Sequence, residues 1–176
     1  MQDAPSIEVL SARADAGHER LVRRETVLNT VLTAVIAAAL TWVLFHGRAG
    51  IAPLAPVPDG IFGILPGTFN FTLLVTLGLS ASIRHRVARG RVTRIAVVPG
   101  RAARLPRLLL LRALLLAAAA TVLLVPLTYG VVWTCLRAGF IPALWSFTGM
   151  TVFFVAYFCA LSLIITPWVV WRALQD

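Results

Sequence analysis

The feature that most constrains this chain is an arginine-dense segment, residues 84–112, which separates two long apolar regions. Nine of the sixteen basic residues lie in this segment, all sixteen are arginine, and the segment contains no acidic residue. So dense a block of charge cannot cross a bilayer, so the apolar regions on either side of it must enter the membrane from the same face. Loops rich in basic residues stay on the cytoplasmic face. The segment is therefore predicted to form a cytoplasmic loop that sets the orientation of the whole chain.

The composition excludes a soluble domain. Of the 176 residues, 59% are hydrophobic and only 13% are charged, whereas soluble domains are about 25% charged. A formal net charge of +9 would suggest nucleic-acid binding in a soluble protein. Here the arginines lie at the ends of apolar runs, where the positive-inside rule accounts for them. We therefore expect no nucleic-acid partner.

The apolar runs predict an all-α fold with four transmembrane helices, arranged as two hairpins joined by the basic cytoplasmic loop. About 20 apolar residues suffice to cross about 30 Å of hydrocarbon, and a region rich in Gly and Pro separates the first two runs. The predicted organisation is a cytoplasmic N-terminal tail or surface helix over 1–25, spans over 26–45, 64–83, 108–133 and 143–171, an outer loop over 46–63, the basic loop over 84–107, an outer turn over 134–142 and a cytoplasmic C-terminus over 172–176.

The arginines also predict the orientation of these spans. Arg48 and Arg137 fall on the predicted outer side, and the other fourteen arginines fall on the inner side. This imbalance places both termini in the cytoplasm. It also argues against insertion in both orientations, which requires nearly equal charge on the two sides.

The chain lacks the residue combinations that most membrane chemistry requires. No Asp or Glu occurs between Asp59 and Asp176, although ionisable groups inside the membrane usually mark ion or proton pathways. His18, His46 and His85 fall at separate places, so no two of them can ligate one haem iron. We expect no catalytic residue, no metal site and no cofactor, and hence no enzymatic activity.

Hydroxyl side chains recur every four positions along the second span, at Thr68, Thr72, Thr76 and Ser80. This spacing places them on one face of a helix, which we call the hydroxyl stripe. Asn70 stands off this face. The hydroxyls can bond back to carbonyls within a packing seam between helices, or they can line a narrow polar path. The sequence leaves both alternatives open.

The basic loop is a second candidate site, because apolar residues are interleaved with its arginines. Such a segment can lie at the headgroup boundary while its guanidinium groups reach lipid phosphates. The expected partner is anionic lipid at the cytoplasmic face, or an acidic protein surface. The candidate contacts are Arg84, Arg86, Arg89, Arg91, Arg94, Arg101, Arg104 and Arg107.

The stretch RRETVLNTVLTAVIAAALTWVLF, followed by LPGTFNFTLLVTLG and RHRVARGR, carries a family resemblance. It resembles an uncharacterised family of small four-span proteobacterial inner-membrane proteins with an R-x-E-T-x-x-N start. The resemblance covers the first half of the chain, and Gly63 stands where that pattern would lead us to expect an acidic residue. It implies a location in the bacterial inner membrane and carries no mechanism.

Together these patterns predict a non-enzymatic inner-membrane protein that acts through helix packing and its basic cytoplasmic loop. It would work as a homo-oligomer or as an accessory subunit of a larger membrane complex. The alternative is a small uncoupled channel or permease for a small solute, with the hydroxyl stripe as its path. A water-accessible path beside Thr72 and Thr76 would favour transport, and dry packing there would favour the first hypothesis.

Overall fold

The computed structural model describes residues 7–48, 50–54, 64–95 and 108–176, except for the side chains of 7–16. Each of its helices contains a segment long and apolar enough to cross a membrane. Outside the helices, the described residues form turns and one isolated bridge, between Ile51 and Trp145. The predicted all-α, four-span membrane fold is confirmed. The helices are α1 (Ile7–Phe45), α2 (Ile64–Ala88), α3 (Leu109–Arg137) and α4 (Phe147–Gln175).

The helices extend beyond the predicted spans. Residues 7–25, predicted as a tail or surface helix, are continuous with the first span in a single 39-residue helix. Their Glu, Arg, Ala and Leu residues are good helix formers. Gly17 is the one Gly or Pro residue between Ile7 and Phe45, and the helix continues through it. At α4 the helix begins at Phe147 and not at 143, because the Ser146 side chain accepts a hydrogen bond from the Gly149 backbone N–H at 3.1 Å.

The helices do not pack in chain order. α4 contacts both α1 and α2, and α3 packs against α2, so the contacts run in the order α1, α4, α2, α3. α1 packs mainly on α4, whereas α2 packs on both α3 and α4. The two inner helices of the bundle are therefore α4 and α2, although α1 and α2 are consecutive in the chain.

Aromatic rings join α1, α4 and α2 in the part of the bundle that lies away from the arginine-rich end. Phe154 and Phe158 lie one turn apart on α4, with ring centroids 6.2 Å from each other. Phe154 also contacts Phe45 of α1 at 5.9 Å, and Phe158 contacts Phe71 of α2 at 5.6 Å. Each such pair contributes about 0.5 to 1.5 kcal/mol beyond the area that it buries. One face of α4 thus binds both of its neighbours.

Gly67 marks the closest approach of α2 to α4. A methyl group on Gly67 would lie 2.9 Å from Cζ of Phe158, which is shorter than any normal contact. The Phe158 ring cannot easily move away, because it also contacts Phe71 and Tyr157. Gly78 lies three turns further along α2, and a methyl group there would meet no atom within 4 Å. Packing against α4 therefore requires a glycine at position 67 but not at position 78.

We expect Gly67→Ala to lower the free energy of unfolding by about 1 to 3 kcal/mol, since it overpacks the contact with Phe158. The matched change Gly78→Ala should be neutral or stabilising by up to about 1 kcal/mol, because alanine favours the helix. Denaturant unfolding of both variants in detergent micelles measures the difference. Equal effects at the two sites would contradict this account of α2–α4 packing.

Candidate functional site

A fully buried arginine lies in the first turn of α3. The side chain of Arg112 has no exposed surface. Its Nη1 donates a hydrogen bond to Oδ2 of Asp176 at 2.9 Å, and its Nη2 donates to Oγ of Ser80 at 2.8 Å. Removing a charge from water costs several kcal/mol unless a partner compensates it. These two contacts therefore allow α3 to pack against α2 at this end of the bundle.

Asp176 connects three helices. Its Oδ2 also accepts from Arg84 of α2, through Nη2 at 2.6 Å and Nε at 3.2 Å. The Asp176 side chain is 7% exposed, while that of Arg84 is 36% exposed. One carboxylate group thus serves one buried and one half-exposed guanidinium group. We call Ser80, Arg84, Arg112 and Asp176 the Asp176 cluster.

Positive charge exceeds negative charge around this cluster. Two arginines share the single carboxylate of Asp176. A third arginine, Arg172, is buried nearby on α4 and donates to the side chain of Gln175. The Nε atoms of Arg112 and Arg172 are both buried and without a hydrogen-bond partner among the described residues. In the cluster and beside it, two buried N–H donors, Nε of Arg112 and Nε of Arg172, therefore have no acceptor among the described residues.

The patterns in the sequence do not predict the Asp176 cluster. Arg112 belongs to the arginine-dense segment that sets the orientation, although the predicted third span over 108–133 contains this residue. A usable signal was present: Arg112 is the one charged residue of that predicted span, and Asp176 is the one acidic residue after Asp59. A charge inside a span needs a partner, and Asp176 is the sole acidic candidate in the second half of the chain.

The hydroxyl stripe is buried along its whole length, with no exposed surface on any of its four residues. At one end, Ser80 accepts from Arg112. At the other, Thr68 donates to the Ile64 carbonyl, so Tyr157 donates to Thr68 across a distance of 2.8 Å. Between these ends, the hydroxyls of Thr72 and Thr76 have no hydrogen-bond partner among the described residues. The stripe thus extends from Tyr157 to the Asp176 cluster.

Asn70 lies off the stripe, and its side chain is exposed. It lines an apolar groove of about 520 Å³ between α1 and α2, whose floor includes Phe158 of α4. Asn29 lines the same groove from α1, but its amide donates to Ser162 at 2.8 Å and Thr166 at 2.9 Å. Asn70 therefore lies on a different face of α2 from the four residues of the hydroxyl stripe.

The described arginines of the basic loop (residues 84–107), called the basic segment from here on, have different environments. Arg84 belongs to the Asp176 cluster, and Arg86 forms an ion pair with Glu25 of α1 at 2.6 Å. The remaining described arginines, at positions 89, 91 and 94, are exposed. Three further predicted contacts lie outside the described residues: Arg101, Arg104 and Arg107.

The segment that follows α2 connects the extension of α1 to the end of α4. His18 Nε2 lies 3.1 Å from both the carbonyl and the hydroxyl oxygen of Thr93. The backbone N–H of Ile95 donates to the Leu174 carbonyl at 3.3 Å. Val22, Ile83 and other apolar residues form a small core beneath these contacts. The polar and charged residues at this end are therefore held in place by packing and hydrogen bonds between α1, α4 and the segment after α2.

Among the described residues, no group of three or more His, Cys, Asp or Glu side chains could hold a metal ion. No family model, curated protein or solved structure matches the chain. The candidate site therefore rests on its own geometry, which is that of a buried, charge-paired polar cluster and an open apolar groove.

We expect Asp176→Asn to lower the free energy of unfolding by about 3 to 5 kcal/mol, because it leaves Arg112 buried without a counter-charge. Adding Arg112→Met should restore most of that loss, since an apolar side chain of similar length needs no partner. Unfolding in mixed micelles measures both variants. Arg89→Gln, on an exposed side chain, serves as the control and should change stability by no more than about 0.5 kcal/mol. A double variant as unstable as the single one would refute the charge argument.

Proposed function

We propose that this chain is a non-enzymatic protein of the bacterial inner (cytoplasmic) membrane that acts by associating with other membrane helices, as a homo-oligomer or as an accessory subunit. Its basic segment would contact anionic lipid at the cytoplasmic face. The inner-membrane location is supported by the R-x-E-T-x-x-N resemblance. The four spans and the buried interior of the bundle are consistent with a role that depends on lateral surfaces.

The observation that carries this proposal is the exposed amide of Asn70. It lies within a membrane-spanning helix, lines the groove, and makes no hydrogen bond with a described residue. An unpaired amide in an apolar environment is costly, and Asn side chains commonly hydrogen-bond between membrane helices. Gly78 lines the same groove with open space where a side chain would lie, and it permits close approach of another helix. A second copy of the chain, related by a two-fold axis, would bring two Asn70 amides together.

We expect a cysteine at Leu74 to cross-link two copies in native membranes, while a cysteine at Leu123 does not. Both residues are 67% exposed, but Leu74 lines the groove, whereas Leu123 lies on α3 and does not line it. Cys135 and Cys159 are first replaced by serine. Adding Asn70→Leu should weaken dimerisation by about 1 to 2 kcal/mol, because interhelical polar contacts contribute about 0.6 kcal/mol each and up to about 1.7 kcal/mol.

The competing outcomes separate the two forms of the proposal. Cross-linking at Leu74 to a different membrane protein, abolished by Asn70→Leu, would favour an accessory subunit. Equal cross-linking at Leu74 and Leu123 would indicate random collision in the bilayer. A monomer that cross-links to nothing through Leu74 would contradict the association hypothesis.

A small uncoupled channel or permease remains the second candidate, because the hydroxyls of Thr72 and Thr76 have no hydrogen-bond partner in the part of the chain that the structure describes. Such groups could bind a permeating solute or water. Against this, both side chains are fully buried, and neither of them lines the groove between α1 and α2. This packing supports the association proposal more than it supports transport.

The proposed orientation rests on the two ends of the helices. Arg48 follows α1 and Arg137 is the last residue of α3, at helix ends that are predicted to lie on the outer side, and each guanidinium group lies over an aromatic ring. We expect cysteines at these two positions to react with a membrane-impermeant maleimide in intact cells, since both side chains are exposed. A cysteine at exposed position 89 should react only after the membrane is opened. Labelling of position 89 in intact cells would reverse the orientation.

A further inference from the structure

A second cavity lies beside the Asp176 cluster. Its volume is about 600 Å³, and its lining comes from the end of α2, the segment that follows it, and the end of α4. The charged and polar side chains in its wall are those of Arg84, Arg94, Gln175 and Asp176, with Val87 and Ala88 beside them. The cavity therefore lies where the bundle meets the basic segment.

Among the described residues that line this cavity, arginine side chains outnumber carboxylate side chains. Asp176 supplies the one side-chain carboxylate of this described lining, and it is already shared between Arg84 and the buried Arg112. Arg94 is exposed and forms no ion pair with a described residue. Buried Arg112 behind the wall adds a charge that cannot move away, because its side chain has no exposed surface. The electrostatic field in the cavity thus favours an anion.

The chemistry of the donors narrows the kind of anion. Guanidinium groups present parallel N–H donors that match phosphate oxygens in a bidentate way, and they bind phosphate with charge-assisted hydrogen bonds. The cavity is larger than a phosphate ion and has room for the ester groups of a lipid headgroup. Arg84 lies near the end of α2, a helix long and apolar enough to span a membrane. Basic pockets at the ends of membrane helices bind lipid headgroups.

We propose that this cavity is a binding site for a phosphate-class anion, held by Arg84 and Arg94, with Asp176 occupying the guanidinium group of Arg84 when the anion is absent. The anion is a phospholipid headgroup or a free phosphate, which share this chemistry. This site rests on the proposed function, in which the basic segment contacts anionic lipid, and it assigns that contact to specific residues. In the bound state, Arg84 turns from the Asp176 carboxylate to the phosphate, while Arg112 keeps Asp176 as its partner.

The test uses the full chain in a neutral detergent, with two probes. Inorganic phosphate is titrated against chloride at equal ionic strength, and its binding is followed by calorimetry. Phosphatidylglycerol and phosphatidylcholine are compared by counting bound lipids in native mass spectrometry. The double variant Arg84→Gln with Arg94→Gln should weaken anion binding at least about tenfold. The loss of one hydrogen bond to a charged group is sufficient for about a tenfold increase in Kd.

The matched control is Arg89→Gln with Arg91→Gln, which removes the same charge from exposed residues of the same segment that do not line this cavity. It should leave binding within about twofold. Arg94→Gln alone gives a second variant, since Arg94 forms no ion pair with a described residue and its loss should not disturb folding. Asp176→Asn should strengthen anion binding, and the anion should raise its unfolding temperature more than that of the unchanged chain.

The outcomes are distinct. Phosphatidylglycerol binding without phosphate binding identifies the lipid headgroup as the source, and the reverse identifies the free anion. Equal losses in the two double variants would overturn the site and leave only a diffuse lipid contact of the basic segment. If the unchanged chain distinguishes neither phosphate from chloride nor phosphatidylglycerol from phosphatidylcholine, both the site and the proposed lipid contact are wrong.

Discussion

The pairing of Arg112 with Asp176 is the interaction on which the arrangement of the helices at this end depends. Arg112 is followed directly by Ala113, and both Ala113 and Ala117 are fully buried on the face of α3 that meets α2. The small side chains let the two helices come close, but the same approach buries the guanidinium group beside them. Asp176 and Ser80 supply the partners that make this burial possible. Close packing of α3 against α2 therefore depends on the charge pairing with Asp176 at the end of α4.

The two ends of the bundle are held by different forces. At the arginine-rich end, the Arg86–Glu25 ion pair and the contact between His18 and Thr93 fasten the extension of α1 to the end of α2 and the segment after it. Further along α1 and α4, aromatic rings such as Phe45 and Phe154 provide the contacts. Polar contacts near a membrane surface are weakened by water and salt, whereas ring packing inside the bilayer is not. The arginine-rich end is therefore the part of the protein that responds to its ionic surroundings.

Hydropathy and length were enough to predict the four spans, and α2 begins at Ile64, where the predicted span began. The same signals could not locate the start of α4, because Ser146 acts through a local cap and the residues before it are also apolar. They could not give the packing order either. A hydropathy profile describes each helix alone, whereas the central place of α4 depends on which side chains meet in space, such as Phe158 with Gly67.

The candidate site shows the same division. The four-residue spacing predicted that the hydroxyls of the stripe share one helix face, and they do share one buried face. The sequence could not say what that face meets, because Tyr157 and Arg112 come from helices far along the chain. Asn70 stands off that face, and its side chain lies in the groove between α1 and α2. Residue type predicted which groups needed partners, and only the packing determined which of them found one.

Both openings in the bundle follow from the order in which the helices pack. Because α1 and α2 each bind α4, the space between them is floored by Phe158 and remains open as a groove. At the arginine-rich end, α2 continues to Ala88 and α4 to Gln175, and the cavity forms where these two ends meet the segment after α2. The groove is lined mainly by apolar side chains of α1 and α2, while the cavity wall carries Arg84, Arg94 and Asp176. A membrane partner with an apolar helix and a ligand with a phosphate group would therefore bind different parts of the same molecule, without competing for one surface.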